Sequence, residues 1–191
     1  MRAGVRAILT IAIIGAVVVG LWWFAVRPSA SVCCDESVAV PGVEIPARPA
    51  DAFAMTVASV WDGDTLRATV QAPNDVISST DEVRVRLVGI DTPELGDPSE
   101  CGAEDARTHL ATLAAEGSTI WAAFDVDPQD RYERYLLYLW TPDGRFINHE
   151  LVAAGDAEAM TIEPNDAYAE LFTATEAAAR AAGTGQWGVC G

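Results

Sequence analysis

From Ala7 to Val26 the chain reads "AILTIAIIGAVVVGLWWFAV", an uncharged apolar run with Arg2 and Arg6 ahead of it. A helix needs about 20 such residues to cross the hydrocarbon core of a bilayer, whereas the apolar region of a cleavable signal peptide usually has ~7 to 15. The run therefore reads as an uncleaved signal anchor with its arginine-bearing end in the cytoplasm. This makes residues 1–27 a membrane or signal helix and puts everything beyond it outside the cell, tethered to the membrane or, if the segment is cleaved, secreted. Residues 28–52, rich in Pro, Ala, Ser and Val without helical period, read as a flexible linker. The vicinal Cys33 and Cys34 follow Ala30, Ser31 and Val32 and lack the small residue expected just before a lipidated cysteine. One domain of ordinary size remains, residues 53–191.

That domain is acidic. All of the chain's 28 acidic residues lie at or after Asp35, while three of its 12 arginines, Arg2, Arg6 and Arg27, precede it, and there is no lysine. The portion beyond the apolar run is thus more negative than the formal −16 of the whole chain. Long-range attraction to a polyanion is excluded as a binding principle, and function has to be sought in local clusters.

Hydrophobic periodicity predicts about five strands: Phe53–Val60, Thr65–Gln71, Glu82–Ile90, Ser118–Phe124 and Tyr135–Trp140. In the third, Val83, Val85 and Leu87 alternate with Arg84, Arg86 and Val88, the pattern of a strand with one buried face. Helices are expected over Glu100–Ala115, Ile147–Ala154 (stopped by Gly155) and Asp166–Ala182, the last with Tyr168, Leu171, Phe172 and Thr175 on one face and Gly183 as its stop. Short strands interrupted by helices without βαβ alternation suit a small closed barrel of the OB type. The fold expected is mainly β plus α, a five-stranded OB-fold barrel with about three helices.

Three segments could carry chemistry. "VWDGDTL", Val60–Leu66, is first of all a hairpin turn. It is not an EF-hand, because the fifth position from Asp62 is Leu66. "RLVGIDTPE", Arg86–Glu94, ends an apolar strand in carboxylates; a helix starting at Thr92 would meet Gly96 and Pro98 almost at once, so the segment instead presents Asp91, the Thr92 carbonyl and Glu94 from a rigid support. "DRYER", Asp130–Arg134, brings Arg131 and Arg134 to the mouth of a buried strand, a costly place for an unpartnered cation.

With "NHELVAAGDA" and "GTGQWG" further on, these segments resemble the staphylococcal nuclease-like, or thermonuclease, family, in order and over about Ala54 to Cys190. The resemblance implies an OB barrel with three helices and a nuclease that hydrolyses phosphodiester bonds of DNA, RNA or both. It implies Asp64, Asp91 and the Thr92 carbonyl as ligands of Ca²⁺, Arg86 and Arg134 on the phosphate, Arg131 in substrate binding, and Glu94 as general base. The residue types suit that chemistry, since a phosphodiester repels nucleophiles until cations neutralise its oxygens. The ligands are all oxygen, and His109 and His149 are expected on helix surfaces rather than on zinc.

Two departures from the family pattern stand out. Glu133 occupies the place of the usual Gly before Arg134, and around Ala159–Asp166 the aromatic residues that often stack on the substrate base give way to residues such as Thr161 and Glu163. A catalytically weak binding module on the same barrel is the alternative these departures leave open. Cys101 and Cys190, the two cysteines inside the domain, are expected to pair in an oxidising compartment, and the chain is expected to act as a monomer.

Overall fold

The computed structural model describes residues 44–190, all within the second of the two units into which the chain divides, Val38–Gly191. The apolar run expected to anchor the chain and the first part of the expected linker lie outside the described residues. Among those described, no helix is long and apolar enough to cross a membrane.

Five strands close into a barrel in the order β1 (Phe53–Val60), β2 (Thr65–Val70), β3 (Val83–Leu87), β6 (Tyr135–Trp140), β5 (Thr119–Ala123) and back to β1. All pairings are antiparallel except β3 with β6, where Val85 faces Tyr135 and Leu87 faces Leu137. A bulge at Ala58 bends β1 between the pairing of Val57 with Ala68 and that of Ser59 with Arg67. Met55, Leu66, Val85, Leu87, Ile120 and Leu137 are among the side chains that fill the core. Beside the barrel lie α1 (Ala103–Leu113), α2 (Ile147–Ala153), α3 (Ala169–Ala182) and the single turn α4 (Gln186–Val189). Cys101, just before α1, is joined to Cys190, just after α4, by a disulfide that closes 89 residues of chain. By chain entropy such a link contributes up to about 4.6 kcal/mol.

The third strand is shorter than its apolar pattern suggests. It stops at Leu87, turns through Val88 and Gly89, and resumes as β4 (Ile90–Asp91), which leaves the barrel and pairs with β7 (Glu158–Ala159). Gly89 makes the break possible: its φ is 85°, and a Cβ there would stand 2.4 Å from the Phe172 ring. One consequence is that the barrel strand does not have a single buried face. Arg86 and Val88, on the side expected to be open, are buried too.

The turn is sealed by Asn148, whose pattern in the sequence looks like that of any helical polar residue. Fully buried on α2, it accepts a hydrogen bond from Leu139 N (2.9 Å) and donates to the carbonyls of Val88 (2.9 Å) and Leu137 (3.4 Å), so that β6, the β3–β4 turn and α2 are tied at one point. Above it Tyr138, Trp140, Phe146, Tyr168 and Phe172 form a packed aromatic layer, with Trp140 and Phe146 stacked at 4.6 Å and Tyr138 and Tyr168 edge to face at 4.5 Å. Helix α3 begins three residues later than expected, after the turn Asp166–Ala169, and buries Leu171, Phe172, Thr175 and Ala179.

The histidines correct the surface roles expected of them. His109 on α1 is half-buried, its Nδ1 lying 2.6 Å from Asp156. His149 is buried, only 6% exposed, because α2 packs against β6, α1 and α3 and hides five of its seven residues. Burial depresses the His149 pKa below the ordinary 6.5. The unfolded chain therefore takes up this proton at a higher pH than the folded one. The folded state is free of this penalty above about pH 6.5 and loses stability as pH falls below it. Urea unfolding at pH 7.5 and pH 5.0 should show a smaller loss of stability on acidification in His149→Gln than in wild type; equal losses would remove His149 as a source of acid sensitivity.

Candidate active site

The turn between β1 and β2 is built as a hairpin and also holds a buried acid. The N–H groups of Trp61 and Asp62 both donate to the Thr65 carbonyl (2.9 and 3.3 Å), and Asp64 N–H donates to Asp62 Oδ1 (3.1 Å). Gly63 is required by proximity: a Cβ there would lie 2.6 Å from Ala106 Cβ on α1 and 2.7 Å from Thr92 Oγ1. Pressed against α1 and Thr92 in this way, the turn points Asp64 inward, where it is 4% exposed. Its Oδ1 accepts from Thr65 Oγ1 (3.0 Å), and its Oδ2 accepts from the Thr92 N–H (3.1 Å) and Oγ1 (3.2 Å).

Arg86 lies at the centre of these contacts, and it is 4% exposed. Its Nη1 donates to the carbonyls of Leu87 and Ile90, both at 2.8 Å, and stands 3.0 Å from Asp64 Oδ2; its Nη2 donates to Asp91 Oδ1 at 2.7 Å. The β3–β4 turn thus wraps its own carbonyls round the guanidinium while two carboxylates from different segments neutralise it. A buried cation is tolerable only with such compensation. Asp91 is half exposed, and its Oδ2 has no hydrogen-bond partner among the described residues.

Glu94 follows on a loop fixed by reciprocal bonds, Glu94 N–H to Glu100 Oε2 (2.9 Å) and Glu100 N–H to the Glu94 carbonyl (3.0 Å), rather than on a helix. Its side chain is exposed, and burial of part of it, then the fields of Asp62, Asp64 and Asp91, raise its pKa against the pull of Arg86. Asp91 is raised as well, mainly by burial, with Asp64 adding and Arg86 opposing. Asp62 is likewise raised, first by burial and then by Asp64. Four carboxylates share one close guanidinium, an excess of negative charge at one spot.

Arg134 reaches the edge of this neighbourhood from the loop before β6, where it lines a cleft together with Asp62. Its Nε donates to Asp130 Oδ2 (2.7 Å) and its N–H to Asp130 Oδ1 (2.9 Å). Burial alone would raise the Asp130 carboxyl, but the Arg134 N–H and guanidinium and the Tyr132 N–H outweigh it and hold the pKa below the usual range. Glu133 is the one non-glycine residue with positive φ (62°) among those described, which accounts for the glycine common in the family at this place. Asp130 holds Arg134 despite the substitution. Arg131 is not drawn in: its guanidinium lies over the Tyr132 ring at 4.7 Å, on the surface.

The fold and site define an OB-type barrel protein with an acidic, arginine-braced cluster where the β1–β2 turn, the end of β3 and the approach to β6 meet. The chain belongs to the family described as staphylococcal nuclease homologue, whose model matches residues 84–189 and so includes Arg86, Asp91, Glu94 and Arg134 but begins beyond Asp64. It is 31% identical over 123 residues to a thermonuclease of Staphylococcus intermedius, covering 61% of this chain and 65% of that protein. It is 34% identical over 101 residues to an uncharacterized endonuclease of Escherichia coli O157:H7, covering 53% and 57%. The chain therefore spans less than two thirds of the length of either relative.

The donor set suits a hard cation. Asp64 and Asp91 offer carboxylate oxygens, and Asp91 is half exposed; Asp62, Asp91 and Glu94 are raised first by burial and then by neighbouring carboxylates, and the second of these is of the kind a divalent ion relieves. No three acidic, histidine or cysteine side chains among the described residues converge as a closed cage; Asp64 and Asp91 converge on Arg86 instead. Sequence reasoning does not single out Asp62 or Trp61 for the site. Asp62 stands in the same "DGDT" turn and could be taken with Asp64, whereas nothing in the sequence separates an exposed Trp61 from a core tryptophan.

Arg86→Ala should lower the unfolding free energy by about 3 to 5 kcal/mol, because it leaves buried Asp64 uncompensated. Arg86→Lys should restore only part of it, an ammonium being unable to span both carboxylates and both carbonyls; a urea midpoint equal to wild type for the lysine variant would show that a point charge suffices. Glu133→Gly should raise stability by about 1 kcal/mol, the left-handed strain less the entropy of glycine. A thermal midpoint that stays unchanged or falls would count against strain at Glu133.

Proposed function

We propose that this protein is a calcium-dependent nuclease that hydrolyses phosphodiester bonds of DNA or RNA with little sequence preference. The observation that carries the reading is the convergence of Asp64, Asp91, Arg86, Glu94 and Arg134 from three separate segments, in a chain of the staphylococcal nuclease homologue family. The names of the two relatives, a thermonuclease and an endonuclease, support the same reading. Asp64, Asp91 and the Thr92 carbonyl would hold the calcium ion, which supplies positive charge to the phosphate oxygens when bound.

The chain's own side chains divide the remaining work. Arg134, gripped through Nε by Asp130, keeps its terminal nitrogens for a bidentate hold on the phosphate. Arg86, committed to two carboxylates and two carbonyls, holds the acids in register and adds charge from beneath. Glu94 takes a proton from the attacking water as its oxygen bonds to phosphorus; the bond from phosphorus to the 5′ oxygen breaks, that oxygen leaves as a hydroxyl with a proton from solvent, and a 3′-phosphate remains. An exposed carboxylate with a raised pKa suits that role, being basic enough to accept the proton and accessible enough to reach it. The apolar run Ala7–Val26 with its flanking arginines supports action outside the cell, at the membrane or after release.

Full-length protein incubated with single-stranded DNA should cleave it with Ca²⁺ and stop on addition of a chelator. Glu94→Gln should stay folded by circular dichroism and cleave at least 100-fold more slowly. Cleavage indifferent to the chelator would overturn the metal assignment, and full activity in Glu94→Gln would overturn the base.

A further inference from the structure

Next to the cluster, and sharing Asp62 and Arg134 with it, is a cleft of about 310 Å³ whose other walls are Trp61, Thr65, Arg67 and Arg84. The cluster's chemistry makes no use of the side chains of Trp61, Arg67 and Arg84, and the cleft departs from the rest of the molecule in two ways. The charge changes sign: the chain carries −16, yet the cleft is lined by three arginines and one aspartate. It also presents an indole, since Trp61 is 69% exposed, held at the tip of the hairpin by the bond from its N–H to the Thr65 carbonyl.

The arginines are placed at a cost. Arg67 and Arg84 are direct partners across the antiparallel β2–β3 ladder, where like charges repel. Arg67 is eased only by an exposed pair with Glu82 (3.0 Å), a contact that solvent screens. Arg84 donates to the Tyr132 carbonyl and has no carboxylate partner among the described residues. Two cations facing each other beside a bare aromatic plane suit an anion that carries a flat ring, and the cleft volume lies at the low end of the ~300 to 1,000 Å³ typical of small-ligand sites, room for one nucleotide unit.

We propose that this cleft is a nucleotide subsite of the nuclease, in which the base of a neighbouring residue of a single-stranded substrate stacks on Trp61 and its phosphodiester lies between Arg84 and Arg67. The proposal rests on the nuclease reading. It gives this chain a base-stacking surface on the hairpin side of the site, in place of the aromatic residues absent around Ala159–Asp166. Capture of a polyanion by so acidic a protein then depends on contact with a local cationic strip rather than on long-range attraction.

The test measures anisotropy of a fluorescein-labelled oligothymidylate octamer with the full-length chain in Ca²⁺, on an E94Q background to slow cleavage. W61A should weaken binding about tenfold, W61F should stay within about threefold of the parent, and R84Q should weaken binding and flatten its salt dependence. With an abasic octamer of the same length, the W61A difference should vanish while that of R84Q persists. Matching thermal midpoints for W61A and its parent establish that the fold is intact, as the exposure of Trp61 leads one to expect. In the enzyme with Glu94 restored, the ratio of kcat/KM for the octamer to that for a nitrophenyl phosphodiester should fall about tenfold in W61A. The subsite is overturned if W61A binds the octamer as tightly as the parent, if it loses as much with the abasic octamer, or if the parent does not bind the octamer. A wild-type chain that binds the octamer with this Trp61 dependence yet hydrolyses neither substrate would refute the nuclease reading and leave the cleft as a nucleic-acid binding site.

Discussion

The buried guanidinium of Arg86 is the constraint around which the rest is arranged. An arginine cannot shed its charge in a protein interior, so its burial demands compensation from every direction in which it can donate. That compensation comes from the carbonyls of Leu87 and Ile90 and the carboxylates of Asp64 and Asp91. To deliver it, β3 must end at Leu87, Gly89 must turn the chain, and the β1–β2 hairpin must press its "DGD" tip against Thr92 and α1. The acids that converge at the candidate site are therefore held by the same contacts that hold the barrel to its flanking turn, and stability and site geometry are linked through one residue.

The surrounding electrostatics follow from that arrangement. Arg86 offsets part of the charge of Asp64 and Asp91, and the remainder, together with Asp62 and Glu94, leaves a local surplus of negative charge. Burial of part of its side chain, and then this field, keep Glu94 more basic than an isolated glutamate, and the field suits a hard cation better than further carboxylates. Cationic side chains are placed one step outward instead, with Arg134 on Asp130 and Arg84 opposite Arg67, where a polyanion would meet them on the surface of an otherwise acidic molecule.

Asp130 illustrates how such a site tolerates local strain. The segment carries Glu133 in a left-handed conformation, yet Asp130 binds the backbone N–H groups of Tyr132 and Arg134 and the Arg134 side chain at once. Several hydrogen bonds accepted by one carboxylate outweigh a strain of about 1 to 2 kcal/mol at the residue between them. Arg134 is therefore aimed by Asp130, with or without the glycine.

Much of this was legible from the order of the residues. Alternation in the third strand and short apolar runs elsewhere mark the barrel strands, with Phe53–Val60 and Tyr135–Trp140 falling at the observed ends, and Gly155 and Gly183 mark the helix stops because left-handed backbone there favours glycine. The motifs "DGDT", "IDTPE" and "DRYER" name the residues that meet, since their chemistry depends on side-chain type. What local pattern could not decide is burial and partnership across distance. Alternation put Arg86 and Val88 on an open face, and helical spacing put His149 on the surface; a folded-back turn and a helix packed on several sides buried them. Asn148 is a keystone only because β6 and the β3–β4 turn arrive at its amide, and Trp61 stands in solvent beside Arg84 only because the hairpin tip lies over the β2–β3 ladder. Local sequence determines backbone preference and chemical identity, which are properties of neighbours along the chain. Which charges are desolvated, and against what, is decided by contacts between segments far apart in sequence, and these exist only once the barrel has closed.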